Sequence, residues 1–124
     1  MIGTPTTATW AGISGTSYTF EVHDLSTTFR PVSGVYIIGR AVWLGHMTRL
    51  EALYVGEAQS LEDRLNTRRD AHEGFKRALA HGATHVCALL APNGPAERLR
   101  IETDLRHGLN PICNLQGIDV ARRW

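Results

Sequence analysis

Gly34-Val35-Tyr36-Ile37-Ile38-Gly39, answered downstream by Leu53-Tyr54-Val55-Gly56, is the stretch whose reading decides the fold. Each run is short and apolar, holds a tyrosine and borders a glycine, which is how a buried strand reads. Mixed residues lie between them, so the pair predicts two strands of a hairpin. The connection from Gly39 to Glu51 is long for a hairpin and carries Trp43, Leu44 and Met47. It is expected to be an enlarged loop that either touches a substrate or partner, or folds back as a hydrophobic plug.

Upstream, Tyr18, Phe20 and Val22 alternate with Thr19, Glu21 and His23, the period-2 pattern of a half-buried strand. Residues 1–17 are rich in Thr, Ser, Gly and Ala and read as a loosely structured lead-in, with Trp10 tucked against the domain that follows over 18–124.

Downstream of Gly56, Ser60 is placed as an N-cap with Asp63 three residues on. Ala58, Leu61 and Leu65 predict the apolar stripe of a helix of about ten residues, with Arg64 beside the stripe and Arg68 one turn on. A second helix is expected from His72 to His81, closed by Gly82. Thr84 to Leu90 reads as a buried strand and Pro92-Asn93-Gly94-Pro95 as a turn. The clearest helix runs from Ala96 to His107, with Gly108 as its stop and Asn110-Pro111 opening the tail. The order predicts an α+β domain: a small, mainly antiparallel sheet flanked by about three helices.

A chain of 124 residues suffices for one domain with a real core. No apolar run approaches the ~20 residues of a membrane span, and the first residues lack the charged start and apolar segment of a signal peptide, so the expectation is a cytoplasmic protein without a membrane partner. Cys87 and Cys113 cannot build a disulfide framework. A formal charge of +1 is not the strongly basic balance of a protein that binds nucleic acid by charge alone, and composition by itself neither supports nor excludes a DNA partner. Of the thirteen basic residues all but Lys76 are Arg, which suits bidentate phosphate contacts and equally suits a genome that favours Arg codons. His81, His85 and Cys87 lie close in sequence without the paired spacing of a zinc site.

Glu102 sits mid-helix, where Ile101 and Leu105 supply the core face. Such a carboxylate is either solvated or a ligand for Mg²⁺, a hard cation that keeps several waters and can be held by one carboxylate plus a substrate phosphate.

Taken together, Gly34-Val35-Tyr36, Tyr54-Val55-Gly56, Arg64, His72, and the segment from Ala96 through Glu102 to Asn110-Pro111-Ile112-Cys113-Asn114 resemble the GIY-YIG nuclease family over roughly Pro31 to Asn114. The ordered set Tyr, Tyr, Arg, His, Glu, Asn is more specific than any one piece. The resemblance implies an endonuclease that hydrolyses phosphodiester bonds in DNA with Mg²⁺ or Mn²⁺ on Glu102, and with Tyr36, Tyr54, Arg64, His72 and Asn114 completing the site. Arg64 would clamp the phosphate, helped by Arg68 and Lys76. Tyr36 would take a proton from water once nearby positive charge favours its phenolate. Tyr54 would orient water or phosphate, and His72, titrating near neutrality, would assist the proton balance. Two departures stand out: the long connection between the triplets, and Glu57, an acid where many relatives carry a basic or neutral residue. The alternative is an inactive nucleic-acid- or protein-binding module on the same fold. A DNA-reading protein that recruits the chain through the Trp43 loop or the Trp124 tail, or a homodimer, also stays open.

Overall fold

The computed structural model of the protein describes residues 6–114. Five strands form one antiparallel sheet in the order β1-β2-β5-β3-β4: β1 Thr7–Ala11, β2 Ser17–Asp24, β3 Gly34–Leu44, β4 Met47–Ala58 and β5 His85–Leu90. Two α-helices accompany them, α1 Glu73–Ala80 and α2 Pro95–Leu109, with a π-helical turn Asp63–Thr67 and a 3₁₀ turn Arg69–Ala71 before α1. The α+β class with a small antiparallel sheet is what the sequence predicts. Among the described residues no helix is long and apolar enough to cross a membrane.

Alternation along the strands sends side chains to two faces, and each face has its own core. Tyr36, Ile38 and Val86 point to one side, where Leu61, Leu65, Phe75 and Ala78 cover them. Val35, Ile37, Val55 and Cys87 point to the other, against Ile101 and Leu105 of α2. The sheet is therefore sandwiched, with the π-turn and α1 on the Tyr36 face and α2 on the opposite one.

Four local expectations need correction. The lead-in is not loose: Thr7–Ala11 pairs with β2, and Trp10 meets Phe20 edge-on with centroids 5.6 Å apart. Its anchor is distant in sequence, because Asp104 on α2 accepts from Ser14 N (2.9 Å), Ser14 Oγ (2.7 Å) and Tyr18 Oη (2.7 Å). The long connection after Gly39 is not a loop either. β3 and β4 continue in register to a two-residue turn, Gly45-His46, between Leu44 and Met47. Gly45 takes φ +65°, the left-handed region that a tight hairpin turn requires at that position. The consecutive apolar residues Ala41-Val42-Trp43-Leu44 hide the period-2 pattern that would have marked this extension as strand.

The helix after Ser60 is shorter than expected and partly of π type, although Ser60 Oγ does accept from Asp63 N at 3.1 Å as a cap should. Finally, Gly108 does not stop the last helix. α2 runs through it to Leu109 and ends at Asn110, which adopts φ 46°, with Pro111 next. Gly108 is where α2 touches the β1–β2 turn: a Cβ there would lie 2.6 Å from Gly12 C and Ile13 N and 2.9 Å from Ala11 O.

That close approach sets the sign of a substitution. In an open helix Gly→Ala gains about 1 kcal/mol. At Gly108 the new methyl meets backbone that cannot swing away, so Gly108→Ala should instead lower stability by about 1–3 kcal/mol, read as an earlier midpoint in urea denaturation.

Candidate active site

The two signature strands bring Tyr36 and Tyr54 together with rings 6.1 Å apart and 27° from parallel. Register explains the proximity: Tyr36 pairs with Gly56, and Ile38 with Tyr54. Gly39 then pairs with Ala52, so Leu53 is an extra residue, a bulge immediately beside Tyr54. Glycine is required around the rings. A Cβ on Gly56 would lie 2.5 Å from the Tyr36 hydroxyl, and one on Gly74, in the first turn of α1, would overlap the Tyr54 ring.

His72 completes the cluster. It is fully buried, edge-on to Tyr36, Tyr54 and Phe75, with its Nε2 2.6 Å from Tyr36 Oη. It is also the N-cap of α1, its Nδ1 accepting from Phe75 N at 3.1 Å. Burial, followed by the positive charges of Arg64 and Arg77, pulls its pKa down to about 4. This corrects the expectation that His72 titrates near neutrality. A neutral imidazole has one donor and one acceptor nitrogen. Since Nδ1 accepts, Nε2 carries the proton and donates to the Tyr36 oxygen.

Tyr36 itself is held as a phenol. Burial pushes its pKa well above the ordinary 10.0, the neighbouring Tyr54 adds to the rise, and the charge of Arg64 opposes it without prevailing. The expected positive charge is present, but in the free protein desolvation outweighs it.

Arg64 lines a polar cavity of about 590 Å³ with Glu57, Ser60, Asp63, Arg68 and Arg98. The π-helical turn carries Arg64 at this opening; such turns widen the helix and occur often at functional sites. Arg68 is tied to Asp63 at 2.7 Å, and the buried Arg98 to Glu57 at 3.1 Å. Arg64 has no carboxylate partner among the described residues. The acid at Glu57 is thus offset by Arg98, a residue the sequence reading missed. Its signal was its place one turn before Glu102 on the same predicted helix face. Lys76 is not part of the cavity lining; it lies exposed on α1, 3.5 Å from Glu73.

Glu102 is one turn beyond Arg98 on α2, which lies mainly along β4. Its Oε1 accepts from Arg106 Nε at 3.1 Å, and both side chains are largely buried. It does not touch the tyrosines. A lone carboxylate oxygen set suits a hard cation such as Mg²⁺ that also takes water and phosphate oxygens, and among the described residues no group of three or more His, Cys, Asp or Glu side chains gathers to suit a softer metal.

Asn114 sits at the edge of the sheet. Its Oδ1 accepts from Val55 N at 2.9 Å and its Nδ2 donates to Val55 O at 2.8 Å, while Cys113 N donates to Leu53 O at 2.9 Å. Asn114 therefore holds the strand residue next to Tyr54 by both its backbone groups and acts as a positioning residue. His81 caps Arg77 O, and the Cys87 thiol, buried in the sheet, is pushed up to about 12. The Trp124 tail lies outside the described residues.

The neutral His72 has a measurable consequence. Between pH 6.5 and about 4 the unfolded chain takes up a proton on this imidazole and the folded one does not, so this contribution to stability falls as the pH falls through that window. The full loss is about 3 kcal/mol. His72→Asn keeps a helix cap without titrating, so between pH 7 and pH 4 it should lose about 3 kcal/mol less than wild type in urea denaturation. Nitrogen-15 spectra should show His72 with a protonated Nε2 and a bare Nδ1 from about pH 7 down to about pH 5, with the second proton arriving only near pH 4.

Compared with models of known protein families, with curated proteins and with solved structures, the chain matches none.

Proposed function

We propose that the chain is a divalent-metal-dependent endonuclease that hydrolyses phosphodiester bonds in DNA on a GIY-YIG-like domain, acting in the cytoplasm. The observation that carries this reading is the convergence of Tyr36, Tyr54 and His72 within electrostatic reach of Arg64, which lines a polar cavity and has no acidic partner among the described residues. Hydrolysis requires water to form a bond to phosphorus while the bond to the leaving oxygen breaks, with charge on the non-bridging oxygens neutralised. Arg64 supplies planar, charge-assisted donors for those oxygens. Arg68 and Arg98 lie in the same cavity but are partly spent on Asp63 and Glu57, so they contribute to the field more than to direct grip.

Tyr36 is the acceptor for the proton of the attacking water. Its oxygen already takes the Nε2–H of His72 and feels the charge of Arg64, two influences that favour the phenolate. Burial keeps the proton on in the free protein, so positive charge beyond that of Arg64, of the kind a bound divalent cation would bring, is needed before Tyr36 acts as a base. His72 is a fixed donor in this scheme and does not shuttle protons. Tyr54, stacked on Tyr36, orients water or phosphate by its hydroxyl, and Asn114 keeps its strand in place. Glu102 would hold Mg²⁺ or Mn²⁺, which supplies Lewis-acid activation and a template for the phosphate.

A binding module without catalysis is the second reading, and one observation favours it: Glu102 is already engaged by Arg106.

Supercoiled plasmid incubated with Mg²⁺, Mn²⁺ or EDTA distinguishes the two. Metal-dependent nicking is expected, with Glu102→Ala and Tyr36→Phe each slower by about 10²-fold or more, and the wild-type rate still rising with pH through the alkaline range because the Tyr36 phenol is held above its ordinary value. Cleavage unchanged in both variants would remove the assignment. Folded protein that binds DNA but never cuts it would establish the binding module.

A further inference from the structure

The pairing of β3 with β5 ends at Gly39, yet β3 and β4 continue together to the turn at Gly45-His46. Residues 40–51 therefore form a two-stranded arm whose base packs on the domain, with Leu50 buried and Ala41 N donating to Thr84 Oγ1 at 2.8 Å, and whose outer part extends past the other strands. Its tip is apolar and uncovered: Trp43 is 59% exposed, Leu44 42% and Met47 49%. Leu44 and Met47 are directly paired, and strand alternation puts Leu44 on the face of Tyr36 and Trp43 on the other. The tip is thus an apolar wedge with an indole on one side.

The arm's charge selects its occupant. Its only carboxylate is Glu51, and Arg40 engages it at 2.7 Å. Arg49 has no acidic partner among the described residues, and His46 stands at the turn. What remains is one arginine, Arg49, behind a hydrophobic end, carried by the two strands that hold Tyr36 and Tyr54. Apolar side chains that part base steps, and aromatic rings on which bases stack, are used this way by proteins that hold nucleic acids.

We infer that the β3–β4 arm is a nucleic-acid contact, with Arg49 against the phosphate backbone and Trp43, Leu44 and Met47 against the bases, away from the cleaved bond. The inference rests on the phosphodiester-cleaving role proposed above. Trp43 is seven positions beyond Tyr36, about 23 Å at about 3.3 Å per residue. A base-stacked strand with its cleaved bond beside Tyr36 covers that distance in about seven nucleotides at about 3.4 Å each.

The test is fluorescence anisotropy in EDTA with labelled oligonucleotides of about six and about thirty nucleotides, comparing wild type with a Trp43→Ser/Leu44→Ser/Met47→Ser variant. The substituted side chains are exposed, so denaturation midpoints should match. Binding of the long oligonucleotide should weaken about tenfold or more in the variant and that of the short one should not change, with Trp43→Phe close to wild type. Equal affinity of wild type and variant for the long oligonucleotide overturns the inference. So does a wild-type dimer that the variant dissolves while oligonucleotide affinity per protomer is unchanged, since the tip then faces a second copy. Tip-dependent binding without any plasmid cleavage would sink the nuclease and keep the arm. Normal cleavage and binding by the variant would do the reverse, and failure of wild type to bind any oligonucleotide would end both.

Discussion

One imidazole has two obligations, and only one of its states meets both. His72 must receive the Phe75 N–H to start α1, and must face the Tyr36 hydroxyl at 2.6 Å. The neutral form protonated on Nε2 satisfies both; a cation would leave Phe75 N–H opposite another donor inside a closed core. Helix entry and tyrosine electrostatics are therefore one problem with one solution. The packing around it leaves little slack, because Gly56 and Gly74 are the only residue type that lets both aromatic rings lie where they do. A group buried this tightly exerts steady influence on its neighbour and exchanges protons poorly. That is why a histidine, so often an acid or base, serves here as a fixed dipole.

The second constraint is how the outer strand is finished. β4 is an edge, and an open edge exposes unpaired backbone groups. The residues after α2 close it: Cys113 and Asn114 take up Leu53 O and both polar groups of Val55, flanking Tyr54. At its other flank α2 binds the β1–β2 turn through Asp104 and the bare surface of Gly108. One helix thus joins the first turn of the chain to the strand that carries Tyr54. Its Arg98–Glu57 and Glu102–Arg106 pairs lie along the same course, so charge near the cavity is set partly from behind the sheet.

How much of this the sequence discloses depends on the range of the interaction. Val35 to Ile38, Tyr18 to His23 and the helix around Ile101 and Leu105 are legible because burial imposes a period on consecutive residues. Tyr36, Tyr54 and His72 are legible as a group only through their order along the chain; nothing local says that the rings touch. What escaped depends on pairs far apart. Thr7–Ala11 becomes a strand because β2 offers an edge and Asp104 anchors the turn. Residues 40–51 become a ribbon because each strand is the other's partner, with little alternation to betray it. Gly108 looks like a stop until the neighbouring backbone that needs its bareness is known. The neutrality of His72 follows from enclosure, which no residue spacing encodes.

The strand order carries a consequence for how the chain assembles. β5 lies at the centre of the sheet, between β2 and β3, yet it is the last strand to leave the ribosome. The hairpins β1–β2 and β3–β4 join neighbours in sequence and can form early, whereas the sheet becomes one piece only when residues 85–90 slot between them. Until then the inner edges of both hairpins carry unsatisfied backbone donors and acceptors, open to any other strand at hand. The covalent path between β3 and its neighbour β5 includes the π-turn and α1, the elements that cover Tyr36 and carry His72. Val86 and Ala88 of β5 belong to the same core as Tyr36, so the packing behind the tyrosine cluster is complete only once the central strand is in place.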